Sequence, residues 1–459
     1  MVGMSKPVEE GKSYTIDISS MGNNGEGIGR LEGFTIFVEG AVPGDRARVA
    51  VSEVKKKYAR ARLQEIIVPS GQRIESRCPA ASDCGGCQIQ HIDYKWQLEH
   101  KARKVADSIK RIGGLEDVMI HPIIGMEEPW RYRNKAQFPV GGGVGNPRAG
   151  FYAKGSHDIV EVDDCIIQHE TNRTIIDEVR QHMIEYEIPA YDETTGEGVV
   201  RHVVTRVGFA TGEIMVIIVV TRRYFPGKDE LVERLADKIP GIHSIILNIN
   251  DRNTNVILGT ECITLWGNGY IRDFIGELEF HISPLSFFQV NPVQTQVLYS
   301  KALEYAGLSG TETVVDAYCG IGTISLFLAQ KAGKVYGIEV VKEAVEDARK
   351  NAVINGIQNV EFIAGQAEDI MPGLYREEVR PDVVVVDPPR KGCDERLLDT
   401  ITGMEPDRVV YVSCNPATLA RDLAYLDGKG YRTLEVQPVD MFPHTAHVET
   451  IILLQRQKP

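Results

Sequence analysis

Beyond Pro292 four short strand-like runs, at residues 313–315, 334–338, 382–386 and 409–412, recur with stretches of helical character between them, and the last is apolar throughout. A strand apolar at every position must be buried on both faces, and helices between strands supply that cover. This part of the chain is therefore constrained to a doubly wound parallel sheet of the α/β class. Such sheets do their chemistry at the carboxyl ends of their strands. The run at 313–315 leads into Asp316-Ala-Tyr318-Cys-Gly320-Ile-Gly322, a glycine turn that lets backbone approach a ligand closely. The strict dinucleotide fingerprint fails, because Ser325 stands at the third glycine. The run at 334–338 ends in Glu339, nineteen residues after Gly320 and placed for ribose hydroxyls. The run at 382–386 ends in Asp387-Pro388-Pro389-Arg390. Together these ends point to S-adenosylmethionine as cofactor.

The last of the runs opens the stretch VVYVSCNPATLARD, residues 409–422, which places Cys414 where strand gives way to helix. Pro416 suits the first turn of that helix. Cys414 then sits at the sheet's carboxyl edge, and the helix N-terminus with Arg421 nearby would favour the reactive thiolate. The plainer alternative is a small buried hydrophobe, the usual fate of a free cysteine.

A length of 459 residues corresponds to about three domains. No apolar run is long enough to span a bilayer, and the opening MVGMSKPVEEGK lacks the apolar core of a signal peptide. The expected location is the cytoplasm, with no membrane partner. A net charge of −13 excludes a protein basic all over, so any nucleic-acid site must be a local patch. Residues 1–68 supply one. Short β-type runs at 14–18, 34–38, 45–54 and 59–68, with glycine-rich turns at 22–29 and 43–44, predict a five-stranded barrel of the oligonucleotide-binding type. Between Arg46 and Arg62 lie seven basic residues against the single acid Glu53. Contact with an RNA backbone explains that excess; a solvated strand pair is the bland alternative. The segment also resembles a TRAM domain.

Residues 69–285 read as a mixed α and β central domain, with strands at 199–207, 214–220 and 243–248. Its first loop holds Cys78, Cys84 and Cys87 among small residues, a spacing that makes no core. Zinc and iron–sulfur sites both take four ligands, and Cys165, Cys262 and Cys393 are the candidates for the fourth. A basic amphipathic helix follows at about 95–113, and Trp130-Arg131-Tyr132-Arg133-Asn134-Lys135 interleaves aromatic with basic residues, the chemistry of base stacking and phosphate contact.

The motifs CPAASDCGGC, SFFQVN, DAYCGIGT, DPPRKG, SCNPATLARDL and MFPHTAHVET, in this order from Cys78 to Thr450, closely resemble those of the RNA 5-methyluridine methyltransferases. The iron–sulfur, TRAM-containing branch is the one they resemble. That resemblance implies a class I methyltransferase domain at 286–459. It implies that Cys78, Cys84, Cys87 and Cys165 hold a [4Fe-4S] cluster. Gln289, Tyr318, Gly320, Glu339 and Asp387 would line the S-adenosylmethionine site, Cys414 would be the nucleophile, Glu449 the general base, and Asp387 would also orient the reactants. The helix at about 95–113 would pack on the catalytic domain. A monomer acting on structured RNA is expected, with ribosomal RNA favoured over transfer RNA. Three rival readings have less support. Exocyclic-amino methyltransferases usually follow Asp-Pro-Pro with an aromatic residue, and RNA 5-methylcytosine enzymes commonly with a cysteine, where this chain has Arg390. A non-catalytic iron–sulfur RNA-binding protein would have no use for both Cys414 and Glu449.

Overall fold

The computed structural model describes residues 6–457. Five strands, Ser13–Met21, Gly27–Leu31, Phe34–Glu39, Arg46–Val54 and Tyr58–Val68, close into a barrel in the order first, second, third, fifth, fourth. Alternation drives the closure: Ile16, Ile18, Ile36, Val38, Val49 and Val51 point inward and are buried. The second strand takes in the last three residues, Gly27 to Gly29, of the stretch expected to be a glycine-rich turn. A Cβ on Gly27 would stand 2.8 Å from the Ala41 carbonyl oxygen, and one on Gly29 2.8 Å from Ile16 Cδ1. Those glycines serve close packing inside the barrel rather than chain reversal. Part of the basic excess is neutralised on the surface, Arg48 by Glu65 at 3.1 Å and Lys55 by Glu53 at 2.5 Å.

A seven-stranded sheet follows, ordered Glu261–Gly267, Ile242–Ile249, Ile214–Val220, Val200–Val207, Lys135–Gly143, Asn146–Tyr152 and Ile159–Glu161. The strands Val200–Val207 and Ile214–Val220 are buried along their whole length, because both faces of the sheet are covered. Val203, Val216 and Ile218 pack under the helices Thr171–Glu185 and Lys228–Lys238, with Val179, Leu231 and Leu235. Val204, Met215, Ile217 and Val219 face the other way, into one core with Leu298 and Tyr299 of the helix Pro292–Ala306. The central sheet and the C-terminal region are thus held together by an apolar interface.

The C-terminal sheet has eight strands, in the order Val360–Ala364, Lys334–Glu339, Thr313–Ala317, Val383–Val386, Arg408–Ser413, Glu449–Arg456, Tyr431–Val439 and Met119–Ile120. The first five run parallel, and Glu449–Arg456 is antiparallel to both its neighbours. Two cores cover its faces, one built on Leu298, Ile324 and Ala348, the other on Met371, Leu398 and Leu419. The helix Tyr94–Arg111 falls where one was expected, at about 95–113, with Asp93 accepting from Lys95 N–H at its cap. Its Val105 and Ile109 join the second core beside the helix Pro416–Asp427. The strand Met119–Ile120 then extends the sheet, so this part of residues 69–285 is structurally continuous with the catalytic sheet.

Candidate active site and cysteine cavity

Along the carboxyl ends of the parallel strands lies a cavity of about 920 Å³, and Gln289, Tyr318, Gly320, Glu339, Asp387, Arg390, Cys414 and Glu449 all line it. Residues spread over 161 positions of sequence, from Gln289 to Glu449 inclusive, meet here: Tyr318, Glu339, Asp387 and Cys414 end parallel strands or follow them directly, Gln289 precedes the helix Pro292–Ala306, and Glu449 opens the antiparallel strand. At the glycine turn Tyr318 takes a positive φ of 74°, held by N–H donation from Tyr318 and Cys319 to the Ile338 carbonyl, each at 2.9 Å. Gly320 has nothing within 4 Å of where a Cβ would stand, so the turn leaves open room beside its backbone. The Glu339 carboxylate accepts from Gly320 N–H at 3.1 Å and Val341 N–H at 2.8 Å, which fixes it at the cavity wall.

Cys414, Glu449 and Asp387 form an electrostatically coupled set. Glu449 opens its strand 5% exposed, and its carboxyl is pushed well above the usual range by burial and by the Asp387 charge, with Arg390 opposing. Burial raises Asp387 to about 6. The Cys414 thiol is pushed up to about 11 by burial and by Glu449 and Asp387, and again Arg390 opposes. The expectation that Arg421 favours the thiolate is corrected here. Arg421 turns away to bond Asp422 at 2.7 Å and the Lys391 carbonyl at 3.0 Å, and Arg390 takes its place.

Cys78, Cys84, Cys87 and Cys165 line a second cavity, of about 260 Å³. Gly86 and Arg133 border both cavities. Burial together with the neighbouring sulfurs raises the Cys87 thiol to about 12, and burial raises Cys165 to about 11. Of the alternatives for a fourth ligand, Cys262 is exposed on the edge strand Glu261–Gly267, and Cys393 is buried where its N–H donates to Asp422 at 2.9 Å. Among the described residues no three His, Cys, Asp or Glu side chains converge tightly enough to hold a single metal ion. The four sulfurs are set around a space instead of a point.

The aromatic-basic stretch at 130–135 behaves differently from its expectation. Tyr132 is 1% exposed and donates to the Pro443 carbonyl at 3.1 Å, while Trp130 stacks on His444 with ring centroids 3.8 Å apart. Both rings are committed to packing and neither is free to stack a base. Arg133 of that stretch does reach the catalytic cavity, as does Tyr299, whose hydroxyl meets Thr323 Oγ1 at 2.9 Å. Tyr299 escaped the sequence reading because it lies on a largely buried helix, where an aromatic residue reads as core.

With this geometry in place the chain was compared with known proteins. Residues 276–457 match the family model of tRNA (uracil-5-)-methyltransferase, and residues 7–63 that of the TRAM domain. An uncharacterized RNA methyltransferase of Caldanaerobacter subterraneus subsp. tengcongensis is 53% identical over 98% of this chain and 99% of its own. Another, of Bacillus cereus, is 51% identical over 99% and 98%. Among solved structures, the Pyrococcus abyssi tRNA (uracil-54, C5)-methyltransferase in complex with S-adenosyl-L-homocysteine superposes with a TM-score of 0.78 at 31% identity. That alignment covers 96% of this chain and 100% of the other. Full-length identity, a barrel and methyltransferase sheet in the same order, and the matched family models lead to one conclusion: this chain belongs to the RNA uracil-5-methyltransferase family.

Proposed function

We propose that the protein methylates C5 of uridine in structured RNA, in the cytoplasm and as a monomer, with Cys414 as nucleophile and Glu449 as general base. The observation that carries this is the meeting of Cys414, Asp387 and Glu449 in one cavity that also contains Glu339 and the open glycine turn. Uracil C5 is too weak a nucleophile to be methylated unaided. Addition of the Cys414 sulfur to C6 breaks the C5–C6 double bond and makes C5 enolate-like. S-adenosylmethionine, when bound, supplies an electrophilic methyl group. Glu449, its carboxyl deprotonated, takes the proton left on C5; the electron pair restores the double bond and expels the Cys414 thiolate. Glu339, Gly320, Tyr318 and Gln289 would hold the cofactor, and Asp387 orients the base beside it. The room beside Gly320 and the fixed carboxylate of Glu339 fit that ligand.

For the cysteine cavity we propose a [4Fe-4S] cluster bound by Cys78, Cys84, Cys87 and Cys165. Four thiols spread around about 260 Å³ fit a polynuclear group better than one zinc ion. Anaerobically purified protein should be brown, with iron and sulfide bound, and Cys165→Ala should lose both. Colourless protein with stoichiometric zinc would sink this assignment.

The division into a barrel at 1–68, a central domain at 69–285 and a catalytic domain at 286–459 is part of the same reading, with Lys56, Lys57 and Arg62 of the barrel serving RNA phosphate. Ribosomal RNA remains the first choice of substrate. Transfer RNA is the second reading, favoured by full-length likeness to an enzyme whose own substrate is tRNA. Mapping 5-methyluridine in both RNAs from cells with and without the gene separates the two. Unchanged 5-methyluridine in every RNA would refute the activity itself.

A further inference from the structure

The hairpin loop at residues 440–448 joins Val439 to its cross-strand partner Glu449, so the loop sets where the general base begins its strand. Phe442, Thr445 and His447 of the loop line the catalytic cavity. Its outer side is gripped by the chain that leaves the cysteine loop. Gln88 donates to the Gly85 carbonyl at 2.9 Å, between two of the cysteines, and accepts from Ala446 N–H at 3.4 Å. Ile89 N–H donates to the His444 carbonyl at 3.1 Å, and Gln90 accepts from Cys78 N–H at 2.8 Å.

His444 is the hub of this contact. It is 2% exposed and holds a positive φ of 67°. Its N–H donates to Gln97 Oε1 at 2.9 Å, and its ring Nδ1 lies 3.2 Å from Gln97 Nε2. Nε2 of the ring lies 3.1 Å from the Pro129 carbonyl, an acceptor only, so Nε2 carries the proton and Nδ1 accepts. Burial and the nearby Lys101 and Arg77 charges depress the ring to about 3, which keeps it in that neutral form. One face stacks on Trp130 at 3.8 Å, and the Arg77 guanidinium, adjacent in sequence to Cys78, lies 4.9 Å from the Trp130 ring centre. The ring's partners are the buried Gln97 and Pro129 and the half-buried Trp130 and Tyr94, and none is a reacting group.

We propose that His444 is a positioning residue for Glu449, and that through His444 and Gln88 the loop of Cys78, Cys84 and Cys87 holds the loop that ends in the general base. This rests on the assignment of Glu449 as base. The consequence is specific to one step: disturbing the hub misplaces proton removal, while thiolate addition by Cys414 and methyl transfer stay near their normal rate. A general loosening of the fold would slow all three together.

The test uses the full-length protein, purified anaerobically with the metal cluster proposed above, and a target RNA, in single turnover. His444→Asn keeps a residue tolerant of positive φ but loses the Trp130 stack and one ring bond. It should form the methylated protein–RNA adduct normally and release it many times more slowly, read on denaturing gels. Cys165→Ala should slow release in the same way, and the double variant should be no slower than the worse single one, since coupled sites are not additive. In a protein whose other tryptophans, Trp96 and Trp266, are replaced by Phe, stripping the metal with a chelator should shift Trp130 emission. Normal release by His444→Asn, equal slowing of adduct formation and release, or additive losses in the double variant would overturn the proposal. Failure of the Glu449 assignment is separate: Glu449→Gln would then turn over normally.

Discussion

Asn415 Nδ2 donates to the Arg390 carbonyl at 3.0 Å, tying the residue after Cys414 to the residue after Asp387-Pro388-Pro389. Thr418 Oγ1 donates to the same carbonyl at 3.1 Å. The first turn of the helix behind Cys414 thus fixes the backbone of the cation that opposes burial and the two carboxylates acting on the thiol. Arg390→Gln should push that thiol further above its present value of about 11. Alkylation of Cys414 by iodoacetamide at pH ~8, followed by peptide mass spectrometry, should slow by roughly fivefold, the effect of about 1 kcal/mol of charge interaction. Arg390→Lys should recover most of the rate. Labelling of Arg390→Gln at the parent rate would remove Arg390 from this role.

Burial of Asp387 carries a stability cost. Its carboxyl titrates near 6 in the folded protein, against about 3.9 for an unperturbed aspartate. Between those values the native state binds more protons than the unfolded chain, so this group's contribution falls as pH rises from ~4 to ~6. Above that window the full cost is present. Asp387→Asn should therefore raise the melting temperature at pH ~7 by a few degrees, from about 1 to 2 kcal/mol once water in the open cavity is allowed for. The gain should vanish toward pH ~4, where the carboxyl is protonated in both states. A gain independent of pH would mean that the charge is not its source.

Glu339 accepts two backbone hydrogen bonds and has acceptor capacity left for ribose hydroxyls. Glu339→Ala should weaken S-adenosylmethionine binding by about 1.5 to 3 kcal/mol, the range for a lost hydrogen bond to a charged group. Calorimetry showing unchanged affinity would place the ribose elsewhere.

How much of this was legible in the sequence depended on whether the signal was local. Glu339, Asp387 and Cys414 each end a buried strand, and strand ends in a parallel sheet are legible from apolar runs alone. Glu449 was not, since a single carboxylate on a strand has no pattern of its own and only the resemblance marked it. The strand Gly27–Leu31 was hidden because glycines demanded by Ile16 and Ala41 across the barrel look the same in sequence as glycines demanded by a turn. Arg421 was the nearest cation along the chain to Cys414, but its neighbour Asp422 captures it, and Arg390 arrives from another strand. Trp130 and Tyr132 read as base-stacking residues because their partners, His444 and Pro443, lie more than three hundred positions away.

The mechanism itself is tested by separating the two chemical roles. If sulfur addition and methyl transfer precede proton removal, Glu449→Gln should build the covalent protein–RNA intermediate and fail to release it. A glutamine amide in that buried position fills the same space and cannot accept the C5 proton, so the fold is preserved while one step is lost. Cys414→Ala should form neither adduct nor product, and its cofactor affinity should match the parent. RNA with 5-fluorouridine at the target gives an independent trap in the parent enzyme, because fluorine on C5 cannot leave as a proton and elimination stalls. Labelled RNA on a denaturing gel reads the adduct, and mass spectrometry of the crosslinked peptide identifies its residue. An adduct on any cysteine other than Cys414, or full turnover by Cys414→Ala, would defeat the scheme. If Glu449 were only a buried structural carboxylate, its glutamine variant would release product at the parent rate. The raised affinity of Glu449 for its proton adds a pH signature. Release of the intermediate should accelerate as pH rises and the carboxyl ionises, and that acceleration should be absent from Glu449→Gln.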